Sequence, residues 1–230
     1  NITDGTLTLT ATGSGGKGMK CDDTINISGG EITISTSGGL YYNNGTTENT
    51  NYTQDTENVD SDYYSSPKGM KAGVKTQVST NSYTYSGGLV ISGGTVDVTT
   101  TGNNGEGIES KNQLTISGGT VTVNSYDDAI NSAREMYISG DAVVTALATN
   151  NDALDSNADL YLQGGTVIAC GAASPECGID AAEGYSLYIT GGNVLGIGGD
   201  NNAVTATSGS QAVLAVSGTV TGGSTITVQN

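Results

Sequence analysis

Leu114-Thr115-Ile116-Ser117-Gly118-Gly119-Thr120-Val121-Thr122-Val123 reads as two alternating aliphatic and polar runs separated by a small polar residue and a glycine pair. Period-two alternation on both sides of the glycines means two short strands, each with one face turned inward. The glycines allow a sharp bend with positive φ between the strands. The phrase recurs at Ile25-Asn26-Ile27-Ser28-Gly29-Gly30, Leu89-Val90-Ile91-Ser92-Gly93-Gly94, Met136-Tyr137-Ile138-Ser139-Gly140-Asp141, Leu160-Tyr161-Leu162-Gln163-Gly164-Gly165 and Leu187-Tyr188-Ile189-Thr190-Gly191-Gly192. From Gly93 onward the first glycines follow at intervals of 25, 22, 24 and 27 residues. A period in that range is the signature of stacked coils.

A third phrase precedes each pair of runs: Gly18-Met19-Lys20, Gly69-Met70-Lys71, Gly107-Ile108-Glu109, Ala129-Ile130-Asn131, Ala153-Leu154-Asp155, Gly178-Ile179-Asp180 and Ala203-Val204-Thr205. It supplies the remaining side of a coil, and its seven copies predict about seven coils. The expected fold is all-β, a right-handed parallel β-helix forming one domain over residues 1–230. Successive coils should stack at roughly 4.8 Å, giving a rod core of about 30 Å.

Composition agrees with a narrow core. The chain has no Phe, Trp or His, 36 Gly and only 2 Pro, and its apolar residues are mostly Val, Ile, Leu and Ala. Thin aliphatic layers suit a solenoid better than an aromatic-centred globule. The formal charge of −16, from 23 acids against 7 basic residues, argues against nucleic acid and against anionic membranes as partners. Cations and uncharged polymers such as polysaccharides remain. No apolar run approaches ~18 residues, so membrane insertion is not expected, and a monomeric rod is the expected state. The strand-like run Thr6-Leu7-Thr8-Leu9-Thr10 opens the chain almost at once, so a targeting segment and a cap are expected upstream.

Two segments break the period, at about residues 36–66 and 74–87, and are rich in Asn, Thr, Ser, Gly and Tyr, with Tyr41, Tyr42, Tyr52, Tyr63, Tyr64, Tyr83 and Tyr85. Both should protrude as loops, either carrying function or tolerated as passengers. Cys170 and Cys177 are spaced to close a small disulfide loop in an oxidising compartment, leaving Cys21 unpaired; buried thiols are the alternative.

Acids gather around the third phrase. Asp127-Asp128-Ala129-Ile130-Asn131 and Asn151-Asp152-Ala153-Leu154-Asp155 occupy the same place in adjacent coils, followed by Glu176-Cys177-Gly178-Ile179-Asp180 and preceded by Glu106-Gly107-Ile108-Glu109. Stacking turns them into columns. Two bare carboxylates one coil apart repel by roughly 1 kcal/mol in water and about 3 to 4 kcal/mol at a protein-surface dielectric. Calcium takes oxygen ligands at roughly 2.3–2.6 Å, half the coil spacing, so an ion midway between rungs reaches both. Oxygen donors without His select a hard cation over zinc. Calcium is therefore the expected cofactor, on Asp127, Asp128, Asn131, Asn151, Asp152, Asp155 and Asp180, with Glu109 as a further ligand. Against this stands an Asn and Asp ladder that merely fills turn positions.

The coil length, the Gly-Gly turns and an acid pair followed by a third oxygen ligand resemble the family nine pectate lyases. More closely, nearly the whole chain resembles secreted carbohydrate-binding β-helix proteins of cellulose-degrading anaerobic bacteria. The resemblance implies a lyase-like solenoid with bound calcium, and cellulose and pectic acid as ligands. The lyase calcium motif falls on Asp127, Asp128 and Asn131, with the preceding coil's acid at Glu109; Asn131 departs from the family's Asp. Lyase chemistry needs a base to take the proton beside the uronate carboxylate. In that family a lysine beyond the calcium motif does this, whereas here no lysine follows Lys111 and the only later base is Arg134. No catalytic residue is assigned.

Two surfaces remain. Lys17-Gly18-Met19-Lys20 and Lys68-Gly69-Met70-Lys71 repeat one phrase, so Lys20 and Lys71 either mark a uronate-binding patch or end the acidic column through a Lys71–Glu109 pair. Tyr137, Tyr161 and Tyr188 take the outward position of the first strand in three successive coils. Such a ladder can stack on sugar rings or stabilise the sheet by cross-strand pairing, worth roughly 0.2–1 kcal/mol per pair, and the two are compatible. The expected function is an extracellular, calcium-binding, non-catalytic protein of plant cell-wall polysaccharide. A calcium-dependent pectate lyase using Lys20, Lys71 or Arg134, and an adhesin without glycan ligand, are the alternatives.

Overall fold

In the computed structural model, which describes residues 1–49, 63–199, 206–208, 211–214, 216–218, 223 and 225, the alternating phrases are extended strands, and no α-helix occurs among the described residues. One sheet stacks β1 (Thr6–Ala11), β3 (Thr24–Thr36), β10 (Gly88–Thr100), β12 (Leu114–Ser125), the pair β14 (Met136–Ile138) and β15 (Val143–Ala148), β17 (Leu160–Cys170), β19 (Leu187–Ile197) and β20 (Ala206–Ser208) in that order. The third phrase builds a second sheet from β2 (Lys17–Cys21), β7 (Lys68–Ala72), β11 (Glu106–Ser110), β13 (Ile130–Ser132), β16 (Leu154–Ser156) and β18 (Ile179–Ala181). Every strand of both sheets pairs in parallel with its equivalent one coil away. The result is a β-solenoid of about seven turns. The seventh copy of the third phrase, Ala203-Val204-Thr205, lies outside the described residues.

Inward residues form aliphatic ladders along the rod axis. Met70, Ile108, Ile130, Leu154 and Ile179 line up on one wall, facing Leu89, Leu114, Met136, Leu160 and Leu187 and the valine column of Val96, Val121, Val144 and Val167. All are buried. Burial on this scale, at ~25 cal/mol per Å² of apolar surface, is the main force holding the coils together, with one strand-to-strand ladder closing per turn.

The two strands expected on either side of each glycine pair are mostly one. β3, β10, β12, β17 and β19 run through the glycines as strands of 11 to 13 residues with a register irregularity at the bend. The backbone turns but the ladder resumes on the far side, at Thr95↔Thr120 for example. Gly119, at φ +81°, makes this turn, and a side chain there would meet the Gly94 carbonyl oxygen of the coil before at 2.6 Å. Only where Asp141 replaces the second glycine do the described residues show the strand divided, into β14 and β15.

Glycines of the third phrase answer a different constraint. A Cβ on Gly107 would lie 2.1 Å from Val123 Cγ1, and Gly18 and Gly69 stand in the same relation to Ile34 and Val98 at 2.2 and 2.1 Å. One coil further on, Ala129 takes the glycine's place and Ala146 the valine's. The narrow core thus trades volume across its width. Gly107→Ala is expected to cost ~1–3 kcal/mol by overpacking. Adding Val123→Ala should recover part of that loss, because the Ala129 carbonyl oxygen, 2.5 Å from the new carbon, still crowds it. Denaturant midpoints of the single and double variants check this; an unshifted midpoint would show that the coil dilates freely.

Where they are described, both insertions are more regular than loops. Residues 36–40 stay within the coil, with Thr36 and Leu40 buried. Beyond them β4 (Tyr41–Asn43), β5 (Glu48–Asn49) and β6 (Tyr64–Ser65) form a small antiparallel sheet; Tyr52 lies outside the described residues. The second insertion is a hairpin of β8 (Val74–Ser79) and β9 (Ser82–Ser86), turning at Asn81 with φ 57°. Alternating Val, Thr and Tyr residues favour paired strands over an irregular loop. Cys170 and Cys177 are not bonded to each other in this structure, Cys177 is buried, and its Sγ donates to the Ile179 carbonyl at 3.2 Å.

Candidate functional site

The second sheet carries two outward columns. One runs Lys20, Lys71, Glu109, Asn131, Asp155, Asp180, rung by rung. Beside it, Lys17, Lys68 and Glu106 share a register, and the chain continues the column through Asp128 and Asp152, two residues before Ile130 and Leu154. Along the rod the face therefore passes from lysine through glutamate to aspartate.

Its middle is a buried ion network. The Lys68 ammonium meets Glu106 and lies 3.5 Å from Glu109, which also receives Lys71 at 3.2 Å and Lys111. Burial alone would raise the Glu109 carboxyl, but Lys68, Lys111 and Lys71 hold it at about 2. Burial alone would depress Lys68, and Glu106 and Glu109 instead raise it above the ordinary lysine value. Glu109, expected as a cation ligand or as the partner of Lys71, is engaged by lysines. A carboxylate facing three ammoniums has little left for a cation, and the pairing with Lys71 is the one its register allows.

Further along, the acids have no lysine beside them. Asn131 Nδ2 donates to Asp128 Oδ2 at 3.0 Å and to Asp155 Oδ2 at 2.7 Å, and Asn151 Nδ2 donates to Asp127 Oδ1 at 2.8 Å. Asn157 Nδ2 also donates to Asp155 Oδ2 at 3.3 Å, so side-chain amides engage Asp127, Asp128 and Asp155 alike, up to the coil where carboxylates converge. There Asp152, Asp155 and Asp180 each bring a carboxylate oxygen within 4.8 Å of the others. Burial, with Asp152 and Asp180 adding repulsion, pushes Asp155 up to about 8. Burial likewise lifts Asp152 to about 6. Asp128 is raised too, by burial and by Glu106, Asp155 and Asp127. Protons are being retained where negative charge is crowded.

Tyr137, Tyr161 and Tyr188 lie on the other sheet in direct register. Their rings stack at 4.7 Å between centroids, tilted by 2° and 5°. The rings face one another along the ladder, the arrangement that cross-strand stabilisation needs. Tyr161→Ala should cost ~0.2–1 kcal/mol for each of the two ring pairs it breaks. Urea titration measures that cost, and retention on insoluble cellulose, run in parallel, should change little.

Two features escaped the sequence reading. On the outer face of coils four to six, Val143, Leu147, Ile168, Leu195 and Ile197 are exposed at positions where earlier coils carry Thr, Ser, Asp and Asn. Alternation marked them as outward, but nothing local shows that they adjoin. The second is a cavity at the lysine end, lined by Lys17, Lys20, Lys71, Lys75, Lys111 and Asp22 among others. Lys75 comes from the inserted hairpin and Lys111 from the following coil's turn, so their convergence has no signature in the repeat.

Fold and columns together define a β-solenoid scaffold whose chemistry is laid out in ladders along its faces. A family model described as carbohydrate-binding domain-containing protein matches residues 85–230, more than half of the chain, and the chain belongs to that family. No curated protein and no solved structure matches it.

Proposed function

We propose that this member of the carbohydrate-binding family is an extracellular, calcium-stabilised, non-catalytic protein that holds plant cell-wall polysaccharide, cellulose or pectic acid, as a monomeric rod. The family match carries the carbohydrate reading. Three converging carboxylates support calcium. Oxygens packed around one ion at roughly 2.3–2.6 Å lie no more than about 5 Å apart, and Asp152, Asp155 and Asp180 meet that limit. They are hard oxygen donors and would hold the ion, with Asp128 the nearest further carboxylate along the column. Calcium there would screen the crowded charge and offer open coordination positions to a uronate carboxylate. The exposed aliphatic strip from Val143 to Ile197 provides a flat apolar surface for the C–H faces of a neutral glucan.

The lyase alternative is weaker. Lys71 stands three rungs from Asp155, which at ~4.8 Å per rung is about 14 Å, too far for one group to take a proton beside an ion held by the other. Lys20 is a rung further, and Arg134 pairs with Glu135 at 3.2 Å.

Electrophoresis through gels containing soluble cellulose derivative or polygalacturonate, with calcium and with chelator, tests the proposal. Retardation in both gels is expected, with chelator weakening the polygalacturonate gel more. Unretarded migration throughout would sink the idea, and unsaturated product absorbing in the near ultraviolet would restore the lyase reading.

A further inference from the structure

Five of the chain's seven basic residues, Lys17, Lys20, Lys71, Lys75 and Lys111, line one cavity of about 390 Å³. In a protein of formal charge −16 this is a concentrated reversal of sign. Clustered ammoniums repel, and the local acids do not balance them. Asp22 takes Lys20 at 3.0 Å, and Glu109 is shared between Lys71 and Lys111 while also serving Lys68 beneath. Lys17 is held by neutral acceptors, the Gly15 carbonyl at 2.8 Å and the Ser65 hydroxyl. Lys75 sits 4.4 Å over the Tyr83 ring. Burial, with Lys68 and Lys71 nearby, lowers Lys17 to about 8, and Lys71 is lowered as well. The site spends electrostatic energy that an anion would return.

The insertions give the cavity its walls. Ser65 ends the small sheet of the first, and Val74 and Lys75 begin the hairpin of the second. Both interruptions of the repeat therefore converge on the same place. The volume lies within the ~300–1,000 Å³ usual for small-molecule sites.

We propose that this cavity is an anion subsite for glycan, taking the carboxylate of a uronic acid unit directly on lysine, without calcium and on the opposite end of the column from the aspartates. It rests on the carbohydrate-binding reading and adds to it a second site for the acidic ligand and a role for the insertions. Lys20 and Lys75 are exposed and bind at the rim, while Lys17 and Lys71 lie deeper.

Calorimetry of the full chain with trigalacturonate in excess chelator is the test, repeated with its methyl ester, with a sulfated trisaccharide and with inorganic sulfate as competitor. Trigalacturonate should bind, the ester should not, and Lys20→Glu/Lys75→Glu should weaken binding at least tenfold while leaving the far-ultraviolet spectrum and retention on cellulose unchanged. Affinity within twofold of the original in that variant, or equal binding of the ester, overturns the proposal. Tighter binding of the sulfated sugar, or displacement by sulfate at equal concentration, overturns the uronate assignment. Loss of cellulose retention by the unaltered chain would count against the carbohydrate reading instead, with the trigalacturonate result standing apart from it.

Discussion

Lys68→Met is expected to destabilise the protein by ~3–5 kcal/mol, the range for removing one partner of a buried charge network. Lys68 is 4% exposed and Glu109 3%, so neither water nor salt can replace the lost ammonium. Glu109 keeps Lys71 and Lys111, but Glu106 loses its ion-pair partner in a closed site. Adding Glu106→Gln should recover a large part of the loss, because a neutral amide is far cheaper to bury than an unpaired carboxylate. By contrast Lys20→Met, at an exposed pair with Asp22, should cost less than ~1 kcal/mol. Urea denaturation of the three variants checks the ranking; a Lys68→Met midpoint no lower than that of Lys20→Met would remove the network from the list of stabilising features.

The second large effect is a stability profile set by the aspartates. Asp155 and Asp152 have folded values of about 8 and about 6, above the ordinary ~3.9 of an unfolded aspartate. Between those limits the folded state binds more protons than the unfolded one, so unfolding free energy falls as pH rises. In chelator the melting temperature should therefore decline steadily from about pH 4 to pH 8. Glu109, held at about 2, acts in the opposite sense: its contribution is present above the ordinary glutamate value and is lost as pH falls toward 2. Saturating calcium should cancel the decline and raise the melting temperature at pH 8, since an ion at 100 times its Kd adds ~2.7 kcal/mol. Asp155→Asn should flatten the chelator profile and remove most of the response to calcium. A flat profile in chelator, unaltered by the metal, would count against both the crowding and the site.

The acid cluster was partly legible because residues at one place in successive coils become neighbours. The third phrase alone brings Asp155 against Asp180. The expected ligands run over Asp127, Asp128, Asn131, Asn151, Asp152, Asp155 and Asp180, and the fold brings Asp152, Asp155 and Asp180 of them together. An acid in the sequence says nothing about which oxygens already accept a hydrogen bond, and here Asn151 engages Asp127 while Asn131 engages both Asp128 and Asp155. The full surroundings of Glu109 were hidden for a similar reason. Its neighbour one rung back is Lys71, as the register foretold, but Lys68 and Lys111 reach the same carboxylate from an adjoining column and a turn.

The stacked coil itself was determined by the sequence alone: the alternation turns aliphatics inward, the glycine pairs permit the bend, and a period near 25 residues repeats both until the ladders align. These are local constraints, each readable from a few adjacent residues. The tertiary structure decided what local pattern cannot carry. Insertions of unequal length swing Lys75 and Ser65 onto the lysine column, the Asn131 amide links carboxylates of two coils, and three tyrosine rings stack on one another. Each of those outcomes depends on distances between residues far apart in the chain, fixed only once the coils are stacked.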